Sequence, residues 1–359
     1  MNITIIGFGN IGTQFAVEFT SAGYPVTVYS QKPQSVSKNL TILYDDGTTT
    51  KQAQLHRITS SLQEAIENAD LIIISRPAFM LAQTAEEVYP YVKAGACVAL
   101  IPGTGGGELA LKRHIEEKGV TVFGLQRVPA VARLTEYGNT VRVSGKREKL
   151  FAGAIPKENG EKYAKLFSRI FDMPCEMLPN YLCVTLTPSN PILHTTRLRC
   201  LFKDYTQGKA YPTNPYFYQS WDDESSRLLC ACDEELQTIC KALDKLDLTG
   251  VRSLKEHYAS ETPEQLTQKM RSIKSLQGLL SPMIQTESGW IPDFSSRYFT
   301  ADFPFGLAII AQIARLAGVE TPNIDETLAW GTSMGVNQTA LALDRYGIRT
   351  LDDLLEFYA

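Results

Sequence analysis

Ile3-Thr4-Ile5-Ile6-Gly7-Phe8-Gly9-Asn10-Ile11-Gly12 stands almost at the start of the chain and decides its fold. The apolar run ending at Ile6 reads as a strand, the glycines follow as GxGxxG, and Phe15, Ala16, Phe19 and Ala22 then recur at helical spacing. Strand, glycine loop and helix together form the dinucleotide-binding arrangement. Its glycines admit the backbone close to a pyrophosphate, which rests on the free N–H groups of a helix N-terminus. Gly7, Gly9, Asn10, Ile11 and Gly12 are therefore the candidate cofactor-binding residues of this loop. The plainer alternative is a glycine-rich turn with no ligand.

Working outward, the second strand, Pro25 to Tyr29, ends in Ser30-Gln31-Lys32-Pro33, where an acidic residue would hold the ribose hydroxyls of NAD. A serine and a lysine suit a 2′-phosphate instead, so Ser30 and Lys32 favour NADP(H) over NAD(H), unless Lys32 is only a solvated loop residue. Thr41 to Gln54, with Asp45-Asp46-Gly47 inside it, reads as an inserted hairpin. Helices over 61–68 and 79–92 alternate with strands over 70–75 and 96–101, as expected of a parallel, doubly wound α/β sheet. Ser75-Arg76-Pro77-Ala78 and Pro102-Gly103-Thr104-Gly105-Gly106-Gly107-Glu108 follow two strand ends. Pro102 and Gly103 are thus further candidates for the cofactor site, with a plain strand-to-helix turn as the alternative, and Arg76 is a weaker candidate whose alternative is a solvated side chain. Strands over 120–124, 140–144 and 150–154 and a helix over 157–171 complete a Rossmann-type domain over residues 1–180.

From Tyr181 to residue 359 the periodic segments are helical and predict an all-helical second domain. Its informative stretch is Asn190-Pro191-Ile192-Leu193-His194, followed by Arg197. Pro191 suits the first helical position and Asn190 the N-cap. Asn190 and His194 are four apart and share a face with Arg197 one step on, a set that can hold a carboxylate and move a proton. An ordinary capped helix with a core histidine is equally compatible. Asp302, just ahead of another helix, serves either as a carboxylate favoured by the helix dipole or as a partner that orients a histidine. The irregular stretch from Lys203 to Trp221 is either a lid or a packed loop. His56, His114 and His257 read as surface residues.

Composition narrows the function classes. With 44% hydrophobic and 21% charged residues and a formal charge of -4, the chain is a globular protein without a basic face for nucleic acid. No apolar run is long enough to cross a bilayer and no leader precedes the first strand, so a cytoplasmic protein with no membrane partner is expected. Seven irregularly spaced cysteines fit reduced thiols and no metal site. The oligomeric state stays open, with a homodimer as one expectation.

These motifs resemble the octopine/nopaline (opine) dehydrogenase family across nearly the whole chain. The resemblance rests on GFGNIG at Gly7 to Gly12, PGTGGGE at Pro102 to Glu108, NPILH at Asn190 to His194 and RYFTADFPFGL at Arg297 to Leu307. Phe217-Tyr218 and Asp233-Glu234-Glu235 add to it. It implies a catalytic pair of His194 and Asp302, with Asn190 polarising the substrate. The implied reaction is an NAD(P)H-dependent reductive condensation of an amino acid with an α-keto acid, both small molecules. Ala301 departs from the family, where several relatives carry an acidic residue, and bears on substrate specificity. Arg197 and Arg297 are both open as partners of a substrate carboxylate. Competing expectations are a ketopantoate reductase-like enzyme, whose lysine is missing from residues 181–193, a 2-hydroxy acid dehydrogenase, and a non-catalytic NADP(H) sensor.

Overall fold

A computed structural model describes residues 1–45, 50–337 and 341–359. The chain forms two compact units, Met1–Thr185 together with Tyr358, and Leu186–Phe357 together with Ala359. The first unit ends at Thr185 rather than at residue 180, and Tyr181 supplies the reason. Its ring is fully buried in space left by glycines. A β-carbon on Gly124 would stand 2.2 Å from the Tyr181 hydroxyl, and one on Gly103 2.9 Å from it. Helix Leu182–Thr185 is thereby held in the first unit.

The strands of this unit are β1 (Ile3–Ile6), β2 (Val26–Tyr29), β3 (Asn39–Tyr44), β4 (Thr50–Gln54), β5 (Arg57–Thr59), β6 (Leu71–Ile74), β7 (Cys97–Leu100), β8 (Thr121–Leu125), β9 (Val131–Glu136), β10 (Thr140–Ser144), β11 (Leu150–Ile155) and β12 (Cys175–Met177). Among the described residues, eight of them form a sheet in the order β12-β11-β8-β7-β6-β1-β2-β5. Every residue of β1, β6, β7 and β8 is buried. That explains their continuous apolar runs, because a parallel strand covered on both faces has no polar side to show. β1 pairs in parallel with β2 on one side and β6 on the other. Chain order reverses there, and ligands bind at such a switch point, beyond the carboxyl ends of the strands. The parallel pattern breaks at β11, which is antiparallel to β8, and β12 runs parallel to β11 and so shares its reversed direction.

Helix Asn10–Ser21 follows β1, and its Phe15 and Phe19 meet Phe167 and Phe171 of helix Glu161–Phe171 with ring centroids 4.8 to 6.4 Å apart. A second sheet, ordered β4-β3-β10-β9, packs against the same helix. Its β3 and β4 are the arms of the expected hairpin, while the Asp46-Gly47 turn lies outside the described residues. β9 had no expectation, since exposed Arg133 and Glu136 interrupt its apolar pattern.

The second unit is built mainly on helices Pro191–Leu201, Asp223–Ala242, Pro263–Ser272, Ala308–Leu316 and Pro322–Ser333. Their starts are chemically explicit: proline occupies the first turn of three, and Asp222 and Thr262 accept capping bonds from Ser225 and Gln265. Glu235 caps the Pro322 helix, accepting from the backbone N–H groups of Asn323 at 2.8 Å and Ile324 at 2.9 Å. The unit is not wholly helical: β13 (Met283–Thr286) and β14 (Gly289–Pro292) form a hairpin too short to show a period. This hairpin and the residues before it strap down the irregular stretch from Lys203 to Trp221. Tyr211 and Trp290 exchange backbone bonds of 2.7 and 2.8 Å, and Phe217 N–H donates to Leu279 at 2.8 Å. The stretch is a packed loop. Arg297–Leu316 is, against expectation, long and apolar enough to cross a membrane by composition, yet most of it is buried inside the protein, as in a core helix.

Candidate active site

The glycine loop satisfies the steric demands of a dinucleotide. Gly7 has φ +99°, and a β-carbon on Gly12 would fall 1.9 Å from Gly7 O, so both glycines are required by the turn itself. The Ser75 hydroxyl donates to Gly7 O at 2.7 Å and ties the loop to the end of β6. Gly9 differs: nothing lies within 4 Å of the position its β-carbon would take, and it is the residue from which the helix starts. An open cradle at an N-terminus with no acidic residue in its first turn fits a pyrophosphate.

The other candidates of this unit divide. Asn10 is tied to the second sheet, its Oδ1 accepting from Leu134 N–H of β9 at 2.8 Å. Ile11 packs against the core. At the end of β2, Ser30 is buried and its hydroxyl accepts from Lys32 N–H at 3.2 Å, leaving the Lys32 side chain exposed. Arg76 is not simply solvated: its guanidinium lies 5.7 Å from the Tyr29 ring centroid and donates to Thr84 Oγ1 at 2.9 Å. Pro102 is exposed, whereas Gly103 turns inward. Its N–H donates to Leu125 O at 2.8 Å and its carbonyl accepts from the Tyr181 hydroxyl at 3.0 Å, so packing rather than a ligand accounts for that glycine. Glu108, at the end of the same motif, is fully buried and accepts from the hydroxyls of Thr185 at 2.5 Å and Tyr358 at 2.8 Å. Burial pushes its carboxyl above the usual range, against the pull of those two donors.

In the second unit the structure brings His194 and Asp302 together, with Nδ1 and Oδ2 2.7 Å apart. His194 sits one turn into the Pro191 helix. Asp302 stands just ahead of a π-helical turn, Phe303–Leu307, where Leu307 N–H donates to Asp302 O at 2.9 Å. Such turns widen a helix and recur at functional sites. The histidine ring is walled by Tyr298 at 4.5 Å and Phe217 at 5.7 Å between centroids. Its Nε2 faces the Tyr218 hydroxyl at 3.0 Å. With Asp302 accepting at Nδ1, the imidazole carries its proton there and presents Nε2 as the exchanging nitrogen.

Asn190 heads the helix as expected, but its φ and ψ are helical, it makes no side-chain cap bond, and it is exposed. Arg197 does not join the group. It is buried, and its guanidinium donates to Asp222 Oδ2 at 2.5 Å, Ser225 Oγ at 3.0 Å and Ser220 O at 2.6 Å. Arg297, exposed one turn before Asp302, is the arginine that remains available. His114 is a correction of another kind. It is 2% exposed rather than a surface residue, and burial, with Lys118 beside it, brings its pKa down to about 4. Tyr218 is the site residue that sequence reasoning missed; its only signal was its place in the Phe217-Tyr218 pair.

Comparison with known proteins relates the chain to opine dehydrogenases. The family model for the alpha-helical domain of NAD/NADP octopine/nopaline dehydrogenases matches residues 177–334, and that for ketopantoate reductase PanE/ApbA matches residues 3–148. The chain is 28% identical over 334 residues to an opine dehydrogenase of Haliotis discus hannai, covering 85% of this chain and 82% of that one. It is 28% identical over 332 residues to a tauropine dehydrogenase of Arabella iricolor, covering 83% and 82%. An octopine dehydrogenase structure described with NADH and L-arginine superposes with a TM-score of 0.86 at 25% identity, covering 99% of this chain and 98% of that one.

Proposed function

We propose that the chain, whose residues 177–334 match the octopine/nopaline dehydrogenase model, joins an amino acid to an α-keto acid by reversible, NAD(P)H-dependent reductive condensation. The observation that carries this reading is the His194–Asp302 pair of 2.7 Å. It is an acid/base device in a chain whose other unit has a dinucleotide cradle at Gly9. When bound, the nicotinamide supplies the hydride that reduces the C=N bond formed from the two substrates. Gly7, Gly9 and Gly12 admit its pyrophosphate, and the absence of an acidic residue at the end of β2, with Ser30 and exposed Lys32 there, supports NADP(H) over NAD(H).

His194 gives and takes protons as amine and carbonyl combine and water leaves. Asp302 holds the ring in one tautomer and orientation. Exposed Asn190 hydrogen-bonds the keto acid. Arg297 pairs with a substrate carboxylate, since Arg197 is committed to Asp222. The ketopantoate reductase family model matches residues 3–148 and not the helical part, and residues 181–193 hold no lysine to serve that chemistry.

NADPH oxidation by a keto acid, measured with and without a panel of amino acids, tests the reading. Amine-dependent turnover is expected, and equal turnover without amine makes the protein a 2-hydroxy acid dehydrogenase instead. His194→Asn should bind NADPH normally and lose about 100- to 10,000-fold in kcat. Titration with NADPH and NADH, repeated on Lys32→Ala, tests cofactor choice, and equal affinity of the unmodified protein for both removes the argument from Ser30 and Lys32.

A further inference from the structure

We propose that the Tyr218 hydroxyl is a catalytic residue, passing the proton between His194 Nε2 and the reacting oxygen of the substrate. The inference rests on the reading of His194 as the acid/base group and extends the site by one residue. Asp302 occupies Nδ1, so every proton that His194 exchanges with substrate crosses Nε2, and Nε2 lies 3.0 Å from the Tyr218 oxygen.

That oxygen is held in place by its own ring. Tyr218 is buried and stacks on Trp221, with centroids 6.2 Å apart and planes 12° apart, and meets Phe217 edge-on at 5.0 Å. Trp221 is in turn fixed by its indole N–H, which donates to Ser226 Oγ at 3.0 Å, and by Arg271, which donates to its carbonyl at 2.7 Å. Swinging Tyr218 away to free Nε2 for substrate would break this aromatic stack, whereas passing a proton through the hydroxyl requires no movement. A phenol suits the task because it accepts and donates at one oxygen.

The step balances. The amine has added to the keto acid to give a carbinolamine. Tyr218 gives its proton to the departing hydroxyl oxygen as the C–O bond breaks and the nitrogen lone pair forms C=N. It takes the Nε2 proton of the His194 imidazolium at the same time. Water leaves and His194 is left neutral. The reverse reaction runs the same path backwards.

Tyr218→Phe keeps the ring and removes the relay. We expect kcat to fall about 100-fold or more while the KM of both substrates and NADPH binding, read by fluorescence, change little. A hydroxyl that merely steadied the histidine would show as a lower Tm with kcat within about threefold of the unmodified protein, and that result overturns the proposal. Should Tyr218→Phe not fold, 3-fluorotyrosine at position 218 decides. It keeps the shape and lowers the phenol pKa, so the alkaline limb of the kcat profile must move to lower pH, and an unmoved limb overturns the relay. His194→Asn measured alongside separates the two claims. An inactive His194→Asn with an active Tyr218→Phe sinks the relay alone, and an active His194→Asn sinks the reading of the site beneath it.

Discussion

Gly306 lies so close to Pro191 that a β-carbon on it would stand 2.8 Å from Pro191 Cγ. Pro191 begins the helix that carries His194, and Gly306 sits in the π-helical turn that follows Asp302. The two halves of the acid/base pair, far apart in sequence, therefore share one seam. Gly306→Ala must push the helix and the turn apart. Overpacking of this kind costs about 1 to 3 kcal/mol. Thermal unfolding should show that loss, and kcat should fall by more than substrate binding does because the 2.7 Å contact lengthens. A variant with normal Tm and kcat would show that the seam does not set the pair.

Arg197 offers a contrast. Its partners are Asp222, Ser225 and Ser220, so Arg197→Met should unfold at clearly lower denaturant while the surviving folded enzyme keeps its KM for both substrates. A large rise in KM at unchanged stability would return Arg197 to the substrate site.

The glycines of the loop should separate by function. Gly9→Ala meets no atom within 4 Å and should fold with an unchanged Tm, yet bind the dinucleotide more weakly because a methyl group enters the cradle. Gly12→Ala, with its β-carbon 1.9 Å from Gly7 O, should lose stability outright. Calorimetry of both variants, with NADPH titration of the first, checks the distinction. Full NADPH affinity in Gly9→Ala would count against that face as the pyrophosphate site.

His114 sets an acid limit on stability. Its folded pKa of about 4 lies below the ordinary histidine value of about 6.5, so between those pH values the unfolded chain binds the proton and the folded one does not. Stability therefore falls as pH drops through that window, by up to about 3 kcal/mol for this group. Urea midpoints at pH 7 and pH 4.5 should differ less in His114→Leu than in the unmodified protein. An equal acid loss in both would assign the effect to other groups.

What sequence could show depended on the distance between partners. Gly7, Gly9 and Gly12 were legible because strand, turn and helix lie within twenty residues, roughly the span of one local unit. The destination of the Asn10 side chain was not, since Leu134 is 124 residues away and belongs to a strand with no apolar rhythm. Helical spacing placed Arg197 beside His194 in sequence terms, but the burial that captured it came from Asp222 and Ser220, outside that helix. His114 looked solvated because its neighbours Lys112, Arg113, Glu116 and Glu117 are charged, and no local pattern reports a ring turned inward. Tyr218 lies in a loop without period, where only a three-dimensional contact distinguishes one tyrosine from the next.

The bond from Tyr358 to Glu108 also bears on the order in which the protein is made. Tyr358 belongs to the first unit although residues 186–357 of the second are synthesised before it. While the chain emerges from the ribosome, the first 185 residues can assemble their sheet, but Glu108 must wait with one donor instead of two. The first unit is thus finished only after the second has been translated. A fragment cut at Thr185 would carry that deficit permanently, with a buried carboxyl held by Thr185 alone.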